Sequence, residues 1–119
     1  MQYLLLIYGN EDYWTKAPSS EREKTLAEYN EFTRSIVASG HLRGGNELEV
    51  TKTAKTVRVR DGKKQITDGP FAETKEQLGG YYLVEAKDQD EAIAIAARIP
   101  SARMGSIEVR PIIPHDIPN

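Results

Sequence analysis

Near its start the chain runs Tyr3-Leu4-Leu5-Leu6-Ile7-Tyr8, an unbroken apolar and aromatic stretch stopped by Gly9-Asn10. So short a run of β-compatible side chains reads as a strand. Successive side chains of a strand point to opposite faces of its sheet. Tyr3, Leu5 and Ile7 therefore face one way and Leu4, Leu6 and Tyr8 the other. Both sets want cover, as in a strand buried on two sides. Any fold must place this strand inside a sheet and bring apolar surface to both of its faces.

The remaining text says what can supply that cover. Gly9 to Ser20 reads as a polar loop holding the only tryptophan, Trp14. A helix follows, with Ser20 and Glu23 spaced as a capping box and Leu26, Tyr29, Phe32, Ile36 and Val37 recurring at helical spacing. Gly40 is a natural stop for it. From His41 the chain reads as extended, with Gly44-Gly45 marking a bend or bulge. Thr56 to Arg60 and Lys63 to Thr67 then flank Asp61-Gly62, a dipeptide preferred in the tightest hairpin turns. Tyr81 to Ala86 is a further strand. Asp88 or Asp90 can cap a second helix whose buried stripe is Ala92, Ile95, Ala96 and Ile99, ended by Pro100. Ser106 to Arg110 is the last strand, and residues 111–119 form a proline-rich tail.

The order is β-α-β, a hairpin insertion, then β-α-β, within one domain spanning 1–119. A ferredoxin-like α+β sandwich, an antiparallel sheet with two helices on one face, is its simplest packing. Two helices leave the other face bare. A second subunit stacking its own sheet there would cover it, which predicts a homodimer. Glu85, Glu108 and Arg110 put polar groups onto strands that line or edge such an interface, where they either pair with one another or face a ligand.

Composition removes several function classes. The chain has 119 residues and no cysteine, so disulfides, thiolate nucleophiles and cysteine metal sites are excluded. A net charge of -2 argues against general nucleic-acid binding. The apolar start is too short for a membrane span or a signal-peptide core, so a soluble cytoplasmic protein is expected. Gly79-Gly80 lacks the Lys-Ser/Thr that completes a phosphate loop, and no cofactor motif occurs.

The stretch Ile66 to Tyr82, "ITDGPFAETKEQLGGYY", is the candidate site. Asp68 before Gly69-Pro70 can fold its carboxylate onto backbone N–H groups as an Asx-turn. Alternatively, the same rigid turn holds it at a cleft as a general acid/base, which needs burial or a nearby like charge. Phe71 either plugs the loop onto the core or stacks on a ligand. Glu73, Lys75 and Glu76 read as solvated charge, with Glu73 and Lys75 alternatively as ligand contacts. Tyr81 and Tyr82 point to opposite faces, so at most one lines a cleft. Trp14 is a lid or a packing anchor. His41, the one histidine ahead of the proline-rich tail, suits a helix end, or meets Asp68 as a base titrating near neutral pH. Arg58, Arg60 and Arg110 could bind an anion or simply solvate an edge. His115-Asp116 offers too few ligands for a metal.

Three segments, "MQYLLLIYGNEDYW", "TVRVRDGKKQITDGPFAETKEQLGGYYLVEAKDQDEA" and "GSIEVRPI", resemble the YCII-related proteins, specifically the branch with a DGPF motif. The resemblance covers residues 1 to about 113. It implies a ferredoxin-like fold pairing as a dimeric α+β barrel. The founding branch looks like small-molecule enzymes with a His-Asp pair at a cleft, one of them a dehydrochlorinase. Members of the DGPF branch are often encoded beside extracytoplasmic-function sigma factors, which implies a regulatory link. Here the helix from Glu21 to Ser39 has no histidine, and Glu28 or Tyr29 stands where the founding branch has one. What carries over is Asp68, Gly69, Pro70 and Phe71, with Glu73, Thr74 and Lys75.

Two functions are therefore expected as rivals. One is a dimeric module that binds a small molecule or regulates, its cleft near the DGPF loop. The other is a small-molecule lyase or hydrolase using Asp68 as general acid/base.

Overall fold

A computed structural model describes residues 1–117. Its first strand, β1 (Gln2–Gly9), lies between two others in a four-stranded antiparallel sheet. The chain continues through α1 (Glu11–Lys16), α2 (Ser19–Ala38), β2 (Leu42–Glu47), β3 (Lys55–Arg60), β4 (Lys63–Asp68), β5 (Gln77–Glu85), α3 (Gln89–Ala97) and β6 (Ser106–Pro111). The sheet order is β2-β5-β1-β6, with β3 and β4 forming a separate two-stranded hairpin. With the hairpin set aside, this is the ferredoxin-like order expected from the sequence.

The first strand is central in the sheet, and within the chain one of its two apolar faces is covered. Tyr3 and Leu5 are buried under the helices with Phe32, Ile36, Val84, Ala86, Ala92, Ile95, Ala96 and Ile99. Burying aliphatic side chains of this size is worth about 1.5–3 kcal/mol each, which makes this layer the main source of stability. The Phe32 and Tyr82 rings meet edge to face, 5.3 Å between centroids, and the Tyr82 hydroxyl lies 2.8 Å from Thr33 Oγ1. Leu4 pairs with Leu83 and Arg110, and Leu6 with Tyr81 and Glu108, so these residues share the opposite, helix-free face.

Two local expectations are corrected. Glu11–Lys16 is helical, not loop: the Asn10 side chain accepts from the Tyr13 N–H, and Glu11, Asp12 and Lys16 suit the helix dipole. The α2 helix starts one residue before Ser20, behind Pro18, so Ser20 is inside the first turn and no side chain caps it. Of its expected stripe, Phe32 and Ile36 are buried and Tyr29 packs on the core, whereas Leu26 and Val37 are about half exposed. Only the C-terminal half of α2 lies on the sheet.

Other signals hold. Gly40 (φ +80) ends α2 with paired bonds from the Gly40 N–H to the Val37 carbonyl and from the His41 N–H to the Ile36 carbonyl. Asp88 caps α3 through the Glu91 N–H, 2.9 Å away. Register slips between Leu42 and Gly44, the bulge anticipated at the paired glycines. Past β6 the Ile112 N–H still donates to the Gln2 carbonyl, while residues 113–117 are irregular and 118–119 of the proline-rich tail lie outside the described residues.

Candidate functional site

The hairpin is closed by Asp61 (φ 51) and Gly62 (φ 74), both left-handed as its turn type requires. At its base the chain turns sharply at Gly69 (φ +93). The Gly69 N–H donates to the Ala54 carbonyl at 2.8 Å, and Thr56 Oγ1 donates to the Gly69 carbonyl at 2.9 Å. The turn is thus locked by the opposite strand and not by an Asx-turn. The Asp68 carboxylate points to solvent with 83% of the side chain exposed, and forms an ion pair with Lys55 across the ladder.

Phe71 does not plug the core. It is 78% exposed and lies under the Arg58 guanidinium, 5.3 Å from ring centroid to Cζ. Arg58 is therefore stacked on the loop, Arg60 bonds the Val59 carbonyl at 3.1 Å, and Arg110 lies in the other sheet. Pro70 and Glu73 are exposed.

The loop becomes part of a recess only at its far end. Thr74, Lys75 and Glu76 line an open groove of about 700 Å³ with Tyr8, Asn10, Met104 and Ser106. Tyr8 stands opposite Ser106 in the β1–β6 ladder, which places both at the same end of the helix-free face. Ser106 Oγ donates to Glu76 Oε1 at 2.8 Å, and Gln77 fixes the loop by donating to the Thr74 carbonyl at 2.7 Å while accepting from the Glu11 N–H at 3.0 Å. Of the residues singled out in the sequence, Thr74, Lys75 and Glu76 line this groove, while Asp68, Gly69, Pro70, Phe71 and Glu73 do not. Tyr8, Asn10, Met104 and Ser106 carried no signal, because only the pairing of the first and last strands brings them to the loop.

The remaining candidates are dispersed. Tyr81 is on the helix-free face, its hydroxyl accepting from Asn46 Nδ2 at 2.9 Å. Trp14 is half-buried in α1 and does not line the groove. Arg110 donates to Glu108 Oε2 at 2.6 Å, and that hydrogen bond and charge hold its guanidinium above the ordinary range. Glu85 faces the N-terminal ammonium at 3.0 Å. Glu85, Glu108 and Arg110 are thus spent on one another or on the chain terminus. Gly80 lets the β2 backbone approach: a Cβ there would lie 3.0 Å from the Asn46 carbonyl oxygen.

His41 and Asp68 do not meet within the chain. Nδ1 of His41 lies 2.6 Å from Ser39 Oγ and Nε2 lies 3.2 Å from Glu91 Oε1. Glu91 is held below the usual carboxylate range, first by the Lys87 N–H and then by His41. His41 adjoins the Glu85 end of β5 and the loop feeds its Gln77 end, so nine residues of strand, roughly 25 Å, separate them. At the helix position that lacks histidine, the Tyr29 hydroxyl bonds Ser101 Oγ at 2.6 Å, and burial raises its pKa. Glu28 pairs with Arg103.

His115 and Asp116 are exposed, and among the described residues no three His, Cys, Asp or Glu side chains are grouped to hold a metal. No helix there is long and apolar enough to cross a membrane.

Comparison with known proteins places these features in context. The family model of the YCII-related domain matches residues 1–116. The chain is also 37% identical over 114 residues to an uncharacterized protein of Rhizobium meliloti, covering 94% of this chain and 92% of that protein.

Proposed function

This chain belongs to the YCII-related family, and on that premise we propose that it works as a dimeric small-molecule-binding or regulatory module. Its ligand is taken in the groove where the end of the Asp68–Phe71 loop meets the sheet. One observation carries this reading: Lys75 reaches a recess at the edge of the sheet face that no helix covers. That recess offers an ammonium from Lys75, hydroxyls from Tyr8 and Ser106, the Asn10 amide and the apolar Met104. Glu76 is occupied by Ser106. The donors suit a small polar or anionic molecule with an apolar portion.

The helix-free face supports the dimer. Leu4, Leu6, Tyr81 and Leu83 form one apolar surface there. A second copy laying the same face against it gives a self-complementary interface about one dimer axis. The groove then opens at the edge of that interface.

The enzymatic reading needs an Asp68 carboxylate withdrawn from water or facing a like charge. Its exposure and its pairing with Lys55 supply neither within one chain, so the binding module is preferred.

A thermal-shift screen of small polar metabolites tests the reading. A ligand present at about 100 times its Kd stabilises the folded state by about 2.7 kcal/mol, several degrees in Tm. Lys75→Ala should abolish that shift without changing the Tm of the unliganded protein. Stabilisers that act equally on the variant would place the ligand elsewhere.

A further inference from the structure

The β3–β4 hairpin is the part of the molecule that its own fold leaves unexplained. Among the described residues it hydrogen-bonds only within itself and at its base, through Ala54 and Gly69. The radius of gyration is 16.5 Å, against about 13.5 Å for a compact chain of this length, as expected when an element projects. A lone two-stranded hairpin is marginal in water, yet this one bears an apolar strip. Val57, Val59 and Ile66 share one face, and they are 59%, 61% and 59% exposed. Arg58 stacked on exposed Phe71 lies on the opposite side.

We propose that this hairpin is a docking arm for a second copy of the chain, its Val57-Val59-Ile66 face lying against the partner's body. The proposal rests on the dimeric reading above and adds a second contact to the stacked sheets. Charge selects the occupant. Residues 55–68 hold five basic and two acidic side chains, net +3, within a chain of net -2, so the remainder carries -5. A basic arm is thereby matched to the acidic body of its own kind, and two arms in a symmetric pair make that contact twice. Arg58 and Phe71 at the arm's second face are residue types enriched at interfaces. The arm also carries Asp68 to Phe71 at its base, which ties the loop of one copy to the position of the other.

Sedimentation equilibrium on the full chain tests this with the double variant Val57→Asp/Ile66→Asp and, separately, Leu83→Asp on the sheet face. The Val57 and Ile66 side chains are exposed, so the circular dichroism and Tm of the body serve as the folding check. The expected result is a dimer dissociation constant weakened about 30-fold or more in the double variant, the loss of one strong contact. A double variant that dimerises like the wild type, while Leu83→Asp is monomeric, overturns the arm and leaves the sheet-stacked dimer standing. A monomeric wild type overturns both. Binding of the wild type to phosphatidylserine vesicles, lost in the double variant with the dimer unchanged, likewise overturns the proposal and assigns the arm to a lipid surface.

Discussion

Lys55, the first residue of β3, faces Asp68, the last of β4, and their ion pair closes the hairpin at its base. Both side chains are largely in water, 60% and 83% exposed. Exposed pairs of this kind contribute little, about 0–1 kcal/mol. The aspartate of the most distinctive motif in the chain is therefore a lightly held surface group, and the conformation of the motif depends on Gly69 and its bonds to Ala54 and Thr56.

Asp68→Asn should accordingly fold normally and lose no more than about 1 kcal/mol in chemical denaturation. Ligand-induced thermal stabilisation should persist, because Asp68 does not line the groove. Loss of ligand response in a variant of unchanged stability would restore Asp68 to the site.

Gly105→Ala should be costly. A Cβ at Gly105 would collide with the carbonyl oxygen of Tyr8, one of the residues lining the groove. Overpacking of this sort costs about 1–3 kcal/mol. A denaturant midpoint lower than wild type checks it, whereas an unchanged midpoint would mean that the β1–β6 end is looser than described.

Tyr29 makes stability fall at alkaline pH. Burial raises its pKa above the usual 10.0, so the folded state holds the phenolic proton more tightly than the unfolded chain. That contribution is intact below about pH 10 and is lost as pH rises through the folded-state value. Thermal melts from pH 8 to 11 should steepen in decline above pH 10 for the wild type, and less so for Tyr29→Phe. Parallel curves for the two proteins would contradict the assignment.

Much of this architecture was legible in the residues. The six-residue apolar run Tyr3 to Tyr8 required a strand with two covered faces, and the sheet places it centrally. Asp61-Gly62, Gly40 and Asp88 each acted through local backbone chemistry, which does not depend on the rest of the fold. The misreadings came from tertiary context. Leu26 has helical spacing but precedes the part of α2 that meets the sheet, and Ser20 was displaced from its cap by the earlier start behind Pro18. The groove was hidden for the same reason. Tyr8 and Ser106 become neighbours only through a ladder between the two ends of the chain, and nothing local to either residue announces it.

In the proposed dimer, the face bearing Leu4, Leu6, Tyr81 and Leu83 is covered by a second copy of the chain. Light scattering at micromolar concentration tests it most directly. The wild type should show twice the 13.3 kDa chain mass, and a folded Leu83→Asp variant the single-chain mass. A wild type of 13.3 kDa at that concentration would contradict it.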